Sequence, residues 1–369
     1  MFVLELGLIG LCVALLPLSY VWAKGRDDRF RKLVWVTTFL TLDLVMFGGF
    51  TRLTDSGLGC PDWPGCYGTA SPFVAHAQIT AAHAALPSGP VSMTKAWIEM
   101  THRYFAMAIG VLIIAQTAIA WAARIKRGPL DVSPWWPTAL LTLIGVQGAF
   151  GAWTVTLKLQ PIIVTTHLLL GLVMLGVLGW LAVRATRIPA FEPEIARYRV
   201  AALAGLALLV LQIALGGWVS TNYAVLACTD FPTCNGQWIP PMDFAHGFHL
   251  WRALGMTGDG VVITQDALVA IHWTHRTFAF VVIAYLAWLA LRLRRFPSLR
   301  RPANGVLVVL VVQFATGLSN ILLQWPLPIA VAHNGGAAAL LLLLVVLNFR
   351  TAGSGPGRAA VPARKAAPA

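Results

Sequence analysis

Four histidines lie inside long apolar stretches of this sequence, where an ionisable side chain is rare and indicates a functional site. An imidazole in such a place can bind a metal ion or carry a proton. A carboxylate, Glu99, stands three residues before the first of these histidines, on the same face of a helix. The four histidines are His102, His167, His275 and His333.

These histidines belong to a pattern that occurs twice in the chain. Thr-His-Arg is found at 101–103 and again at 274–276. A Gly-Gly pair precedes two cysteines with C-x5-C spacing in both halves, and Val-Gln precedes the later histidine of each half. Each half thus carries two histidines and one cysteine pair, which predicts two equivalent sites. The other matching segments are 48–49 and 216–217, 60–66 and 228–234, 146–147 and 312–313.

Two histidines in each half suit a bis-histidine heme, in which one imidazole approaches the iron from each side. Each histidine falls roughly six to nine residues into its predicted helix, so the members of a pair can meet at one depth, about 9–14 Å below the outer boundary. A zinc site would want four ligands, and neither half supplies a convincing tetrahedral set.

The elements that position these residues are predicted to be membrane helices. The chain is 58% hydrophobic and only 11% charged, which excludes an ordinary soluble domain. Helices follow because lipid offers no partner for unpaired backbone groups. Nine apolar segments are each near the ~20 residues that cross the hydrocarbon core. They are 2–23, 33–52, 96–123, 135–157, 161–183, 199–221, 266–291, 303–324 and 327–349.

The predicted fold class is an all-α polytopic membrane protein. Two tandem, pseudo-symmetric four-helix bundles follow one extra N-terminal transmembrane helix. The predicted divisions are an extra helix with a basic inner loop (1–32), a first half (33–190), a second half (191–351) and a disordered inner tail (352–369).

The net charge of +13 is distributed as expected for a membrane protein rather than for a nucleic-acid-binding one. Basic residues cluster after the first, third, fifth and seventh spans and in the tail, while the opposite connections hold few. This positive-inside pattern places the protein in the cell membrane, with its N-terminus outside and its C-terminus cytoplasmic.

Both cysteine pairs then fall in long outer loops, about 53–95 and 222–265. Paired cysteines outside the cytoplasm are usually disulfide-bonded. Two interpretations stay open: a structural staple, or a redox-active pair that exchanges electrons with the buried centres. Ser71–Leu86 and Asp243–Leu254 are compatible with short surface helices.

Several further polar residues could serve the predicted hemes. Arginines directly follow one histidine in each half, and two more stand at the outer edge, where they could pair with heme propionates or reach lipid headgroups. The outer-loop histidines are expected to be surface or lid residues. Cys12 is expected to be buried and inert. The arginines are Arg52, Arg103, Arg252 and Arg276, and the loop histidines are His76, His83, His246 and His249.

The two halves differ at one position that bears on chemistry. Glu99 in the first half corresponds to His272 in the second, each three residues before the Thr-His-Arg histidine. A carboxylate can accept protons or stabilise developing positive charge. We therefore expect the first site to perform chemistry and the second to store or relay electrons.

These motifs together resemble the heme A synthase family. The resemblance covers about residues 33–350 and includes the cysteine pairs of both outer loops, as in many bacterial members. The extra first helix departs from the usual eight. The motifs are Glu99-x-x-His102-Arg103, Thr166-His167, His275-Arg276, Ala332-His333-Asn334 and Gly-Gly followed by Thr-Arg-Leu-Thr-Asp-Ser-Gly at 48–57.

The resemblance implies oxidation of the C8 methyl of heme O, through a hydroxymethyl and a gem-diol, to the formyl group of heme A. It implies that His102 and His167 flank the substrate, that Glu99 serves catalysis, and that His275 and His333 ligate a permanent heme b. Heme O, membrane lipid, a heme O synthase and an electron donor or acceptor are the expected partners, and nucleic acid is not.

Two other functions fit the same residues. One is a two-heme, b-type membrane electron carrier without substrate oxidation, which would retain two equal hemes through purification. The other is a quinone-linked thiol oxidase, which would fail without its outer cysteines.

Overall fold

The computed structural model describes residues 2–23, 28–126, 132–186 and 192–353, and this part of the chain contains helices and no β-strand. Among the described residues, nine helices are long and apolar enough to cross a membrane, so the all-α class and the predicted spans are confirmed. The helices are α1 (Phe2–Ala23), α2 (Arg29–Leu53), α3 (His76–Ala85), α4 (Met93–Ile125), α5 (Trp135–Thr156), α6 (Pro161–Arg184), α7 (Arg199–Thr221), α8 (Phe244–Gly247), α9 (Gln265–Leu293), α10 (Arg300–Leu322) and α11 (Leu327–Thr351).

Some predictions fall on residues that the structure does not describe. These include four of the basic residues behind the positive-inside argument, Lys24, Arg26, Arg127 and Arg187, and the predicted tail from residue 354 onward. The orientation of the termini stays a prediction.

The long helices pack in two groups. In the first group α2 contacts α4, α4 contacts α5, α5 contacts α6, and α6 returns to α2. In the second group α7, α9, α10 and α11 contact one another in the same cyclic order. Each group can thus direct side chains from its helices toward a common interior.

The two groups also share a core. α11 packs against α2 and α6 of the first group, and α6 packs against α7. One apolar cluster joins Leu175 of α6 to Leu209, Leu286 and Leu344 of the second group, all of them buried. The boundary predicted at 190 therefore crosses a packed interior, and the division into halves stays an interpretation.

The extra helix α1 packs on α4 and, less extensively, on α2. Its first turns join the cluster around the first cysteine pair, where Leu6 is buried and Phe2 is partly buried. Cys12, expected to be buried, is exposed on this helix. The expectation was wrong because α1 is an outermost helix, and its neighbours cover only one of its faces.

The two outer loops contain less helix than the sequence predicted. In the first loop, a helix forms over His76–Ala85, within the expected Ser71–Leu86. In the second, a single α-helical turn forms over Phe244–Gly247, within the expected Asp243–Leu254. It stops where the buried Gly247 carbonyl accepts a hydrogen bond of 2.9 Å from Trp218 Nε1 instead of continuing the helix.

Candidate functional site

The four membrane histidines lie on α4, α6, α9 and α11, and each ring packs against a glycine of another helix. A Cβ built on Gly48 of α2 would stand 3.0 Å from Cε1 of His102. A Cβ on Gly216 of α7 would stand 2.9 Å from the same atom of His275. Only glycine leaves these two imidazoles their space.

The other member of each pair has the same kind of neighbour. A Cβ on Gly151 of α5 would lie 3.3 Å from Cε1 of His167, and one on Gly317 of α10 would lie 3.2 Å from that of His333. The rings of His102 and His167 lie close enough to interact electrostatically, and so do those of His275 and His333. The structure thus brings together the histidines that the sequence paired.

Sequence reasoning did not identify these glycines as neighbours of the histidines. Gly48 and Gly216 were noted only as markers of the repeat. A shared spacing could have identified the other two glycines. Gly151 follows Gln147 by four residues, and Gly317 follows Gln313 by four residues. Gly335, two residues after His333 in the sequence, instead contacts Met46.

The two pairs differ in the partners of their ring nitrogens. In the second group, Nδ1 of His333 lies 2.9 Å from the Thr316 hydroxyl. Nδ1 of His275 lies 3.1 Å from the Gln212 amide, which also donates to the His275 carbonyl. In the first group, Nδ1 of His102 and of His167 are buried without a hydrogen-bond partner in the structure.

The sequence explains this difference. By the offsets of the repeat, Thr316 corresponds to Phe150 and Gln212 corresponds to Leu44. Neither apolar side chain can hydrogen-bond an imidazole. The partners of the second pair fix the orientation of its rings, whereas the first pair lacks both of these polar neighbours.

Glu99 points toward the first disulfide loop. Its side chain is only 5% exposed. Oε2 accepts a hydrogen bond of 2.8 Å from the Cys60 backbone N–H, and Oε1 accepts one from Arg103. The carboxylate is therefore held one helical turn from His102 by both its own helix and the loop.

His272 makes the corresponding contact in the second half. Its Nδ1 accepts a hydrogen bond of 3.2 Å from the backbone N–H of Cys228. The carboxylate and the imidazole thus serve the same loop anchor, although only the carboxylate can carry negative charge. The two halves therefore share a contact between a helix side chain and the disulfide loop, and they differ in the chemical group that makes this contact.

Both cysteine pairs form disulfides within their loops, Cys60 with Cys66 and Cys228 with Cys234, as predicted. Each loop is closed by an aspartate, Asp62 or Asp230, that accepts hydrogen bonds from two backbone N–H groups just after the second cysteine. The pKa of Asp230 is lowered by hydrogen bonds from the Thr233 hydroxyl and then from the Gly236 N–H.

The arginines that follow the histidines reach these same loops. Arg103 donates to the carbonyl oxygens of Asp62 and Pro64 at 3.0 and 3.2 Å, and also to that of Gly65. Arg276 donates to the Thr233 carbonyl at 3.1 Å. Both side chains therefore anchor a disulfide loop above a histidine pair.

The two outer-edge arginines also have protein partners. Arg52 donates to the Ser220 carbonyl at 2.5 Å. Arg252 is 4% exposed and donates to the Met256 carbonyl at 2.9 Å and to the side chain of Asn222 at 2.5 Å. Binding of a heme propionate by either arginine would be in addition to these protein contacts.

The loop histidines lie away from the paired ones. His83 Nδ1 is 3.2 Å from the Val91 carbonyl, and His246 Nδ1 is 2.5 Å from Asp243 Oδ2. His249 packs against Gly258, and His76 begins α3. Their placement is that of loop-stabilising residues.

The residues present fit heme rather than a compact metal site. Within the described ranges, no group of three or more His, Cys, Asp or Glu side chains could hold a metal ion. Paired imidazoles with glycine beside each ring, two of them with an unpartnered buried nitrogen, suit axial ligation on both sides of a flat macrocycle.

Comparison with known proteins agrees with this chemistry. The family model COX15-CtaA, described as a cytochrome oxidase assembly protein, matches residues 31–345. The chain belongs to this family. The match leaves α1 outside the shared region.

Curated relatives carry a more specific name. A heme A synthase of Shewanella oneidensis is 40% identical over 325 residues, which cover 86% of this chain and 96% of the relative. Heme A synthases of Paracoccus denitrificans and Erythrobacter litoralis are each 30% identical, over 85% and 81% of this chain and 85% and 90% of their own lengths.

Proposed function

We propose that this protein is a heme A synthase that oxidises the C8 methyl group of heme O to the formyl group of heme A. The observation that carries the proposal is the presence of two buried histidine pairs, of which only the second has hydrogen-bond partners for its Nδ1 atoms. The relatives named above support the same reaction.

We assign the permanent heme b to His275 and His333. A cofactor that stays bound benefits from ligands whose rings are already oriented, and the Gln212 amide and the Thr316 hydroxyl orient these two. Bound there, heme b would supply one-electron transfer. The contact of α11 with α6 brings the second pair next to the first group.

We assign the substrate, heme O, to His102 and His167. A substrate must enter and its product must leave, so axial ligands whose Nδ1 atoms have no hydrogen-bond partner suit this site better than the other. Leu44 and Phe150, which replace the polar partners of the second group, also make the surroundings of this pair more apolar. This assignment agrees with the position of Glu99.

Glu99 is our candidate catalytic residue. It is buried, lies one helical turn from His102, and is fixed by the Cys60 N–H and by Arg103. A carboxylate positioned in this way can accept a proton as the methyl group is oxidised. A heme O synthase would supply the substrate, and a membrane electron carrier would remove the electrons.

The decisive experiment is heme analysis of the purified protein and its histidine variants. The chain is produced in cells that make heme O, and its hemes are extracted and separated into B, O and A forms. We expect wild type to retain heme B firmly and to contain heme O and heme A in smaller, variable amounts.

The variants assign the two sites. His275→Ala and His333→Ala should lose heme B, whereas His102→Ala and His167→Ala should keep heme B and form no heme A. His249→Ala, in the outer loop, is the control and should match wild type. Loss of all heme from the first-group variants, with none lost from the second-group variants, would reverse the assignment.

The same samples test the alternative functions. A two-heme electron carrier would retain two equivalents of heme B and no heme A. A thiol oxidase would lose its activity in Cys60→Ser/Cys66→Ser or Cys228→Ser/Cys234→Ser variants and would show no heme O consumption. Either result would contradict the proposal.

A further inference from the structure

The turn between α9 and α10 forms a cavity lined by arginines on the membrane surface opposite the cysteine loops. Its walls are Leu291, Arg294, Arg295, Pro297 and Arg300. The three arginines of this set are exposed. None of their guanidinium groups makes a hydrogen bond or an ion pair within the part of the chain that the structure describes.

The turn is rigid beneath these side chains. Leu293 and Leu299 are completely buried in the core of the second group. The Arg294 N–H donates to the Ala290 carbonyl at 2.9 Å, and the Leu299 N–H donates to that of Phe296 at 3.0 Å. The arginines are therefore presented from a fixed backbone rather than from a loose loop.

The positive charge of this turn has no local counter-charge. Five arginines fall between 292 and 301, and the sequence holds no Asp or Glu after Asp266. The neighbouring segment is Pro193–Tyr198, whose Tyr198 ring lies 6.0 Å from that of Phe296. Glu194 of this segment and Glu192 at its N-cap form no ion pair with the turn in the described part of the chain.

The start of α10 adds to the attraction for an anion. Leu299 at its N-cap supplies no side-chain acceptor for the first N–H groups of the helix. These N–H groups carry partial positive charge at the end of a helix, next to Arg300. An anion in the cavity would meet the guanidinium groups of these arginines and this helix end.

We propose that this cavity binds the phosphate of an anionic phospholipid headgroup. The turn joins two membrane-spanning helices, so it lies at the level where lipid phosphates are concentrated. Basic pockets between transmembrane helices recognise such headgroups, and arginine binds phosphate through two parallel hydrogen bonds. The lipid would hold the ends of α9 and α10 together beneath the second histidine pair, whatever reaction the protein performs.

The test uses the full-length purified protein in detergent, with lipid binding measured by native mass spectrometry. Dioleoyl-phosphatidylglycerol is the anionic probe, dioleoyl-phosphatidylcholine the zwitterionic one, and inorganic phosphate the free anion. We compare Arg294→Gln/Arg300→Gln with Arg124→Gln/Lys126→Gln, which removes the same charge near the matching turn of the first group.

We expect the Arg294→Gln/Arg300→Gln variant to bind phosphatidylglycerol about thirtyfold more weakly, at about a factor of five for each arginine. The Arg124→Gln/Lys126→Gln variant should bind as wild type does. Arg294→Lys/Arg300→Lys should recover part of the affinity, which separates lost charge from lost folding.

Three results would overturn the proposal. Equal weakening in the two Gln variants would show a general basic surface. Equal binding of phosphatidylcholine would show that the cavity does not recognise the charge of the headgroup. Displacement of the lipid by millimolar inorganic phosphate would show a site for a free anion instead.

Discussion

The Tyr223 hydroxyl donates a hydrogen bond of 2.6 Å to Oδ1 of Asp55, and these residues occupy the same position in the two repeats, 168 residues apart. Arg52 likewise meets its own counterpart, Ser220, across the same offset. The Arg52 guanidinium also lies 3.8 Å from the centre of the Tyr223 ring. The outer ends of α2 and α7 are thus joined where equivalent residues of the halves face each other.

We predict that Arg52→Gln weakens this junction without removing heme B. Charged hydrogen bonds of this kind contribute about 1–3 kcal/mol, so the apparent melting temperature in detergent should fall while the heme B content stays at the wild-type level. Arg31→Gln, which breaks an exposed ion pair with Asp28, is the control and should change little. If Arg52→Gln instead lost heme at an unchanged melting temperature, a propionate role would explain Arg52 better.

The junction should also withstand moderately alkaline conditions. Burial, ahead of every other contribution, raises the pKa of Tyr223 above its usual value. A raised pKa means that the stability supplied by the neutral hydroxyl is complete below the unfolded value near 10 and is lost only above it. We expect the difference in melting temperature between wild type and Tyr223→Phe to stay constant from pH 6 to pH 9. A difference that vanished by pH 8 would contradict this.

Substitution of a glycine beside a histidine ring should affect only the heme site that contains that histidine. Gly48→Ala places a methyl group 3.0 Å from Cε1 of His102, closer than ordinary van der Waals contact, and we predict that heme A formation falls while heme B stays. Gly216→Ala displaces His275 and should release heme B. Gly148→Ala, where nothing lies within 4 Å of the added carbon, is the matched control. Extracted hemes and absorption spectra provide the measurement. An equal effect of all three substitutions would contradict the prediction that each glycine affects one site.

The hydroxyl beside His333 should tune how tightly heme B is held. Thr316→Val keeps the size of the side chain but removes the partner of Nδ1, and loss of such a partner typically lowers metal-ligand affinity by about 10–100-fold. Heme B loss to apomyoglobin measures this directly. Thr142→Val removes an exposed hydroxyl on α5 that bonds only within its own helix, and it should leave the rate unchanged. A Thr316→Val protein that released heme at the wild-type rate would argue against an orienting role.

Two variants distinguish a catalytic role of Glu99 from its structural contact with the disulfide loop. Glu99→Gln still offers an oxygen to the Cys60 N–H but cannot ionise, so we expect heme A formation to fall by about 10²–10⁴ while heme O remains bound. His272→Gln changes the matching anchor of the second half and should leave conversion largely intact. Accumulated heme O or its hydroxylated form supports catalysis by Glu99. Wild-type amounts of heme A in Glu99→Gln would show that the carboxylate only holds the loop.

The sequence predicted the elements and the pairing of the chemistry well. Apolar length locates the nine spans found among the described residues because lipid enforces helix length, and the repeat alone pairs His102 with His167. It could not give the rotation of each helix or its neighbours, which depend on packing between distant segments. For that reason the contact of Gly48 with His102, and the turning of Arg103 toward the disulfide loop, became visible only in three dimensions.

The packing of α11 has a consequence for how the protein is made. This helix carries His333, contacts α7 and α10 of its own group, and also contacts α2 and α6 of the first group. Among the membrane helices of the described residues, it is the last to leave the ribosome. Until α11 has been made, the surfaces of the earlier helices that will contact it face lipid, and neither group can reach its final packing. A chain that stops before residue 327 would thus be an assembly intermediate in both halves, although it contains every residue of the first histidine pair.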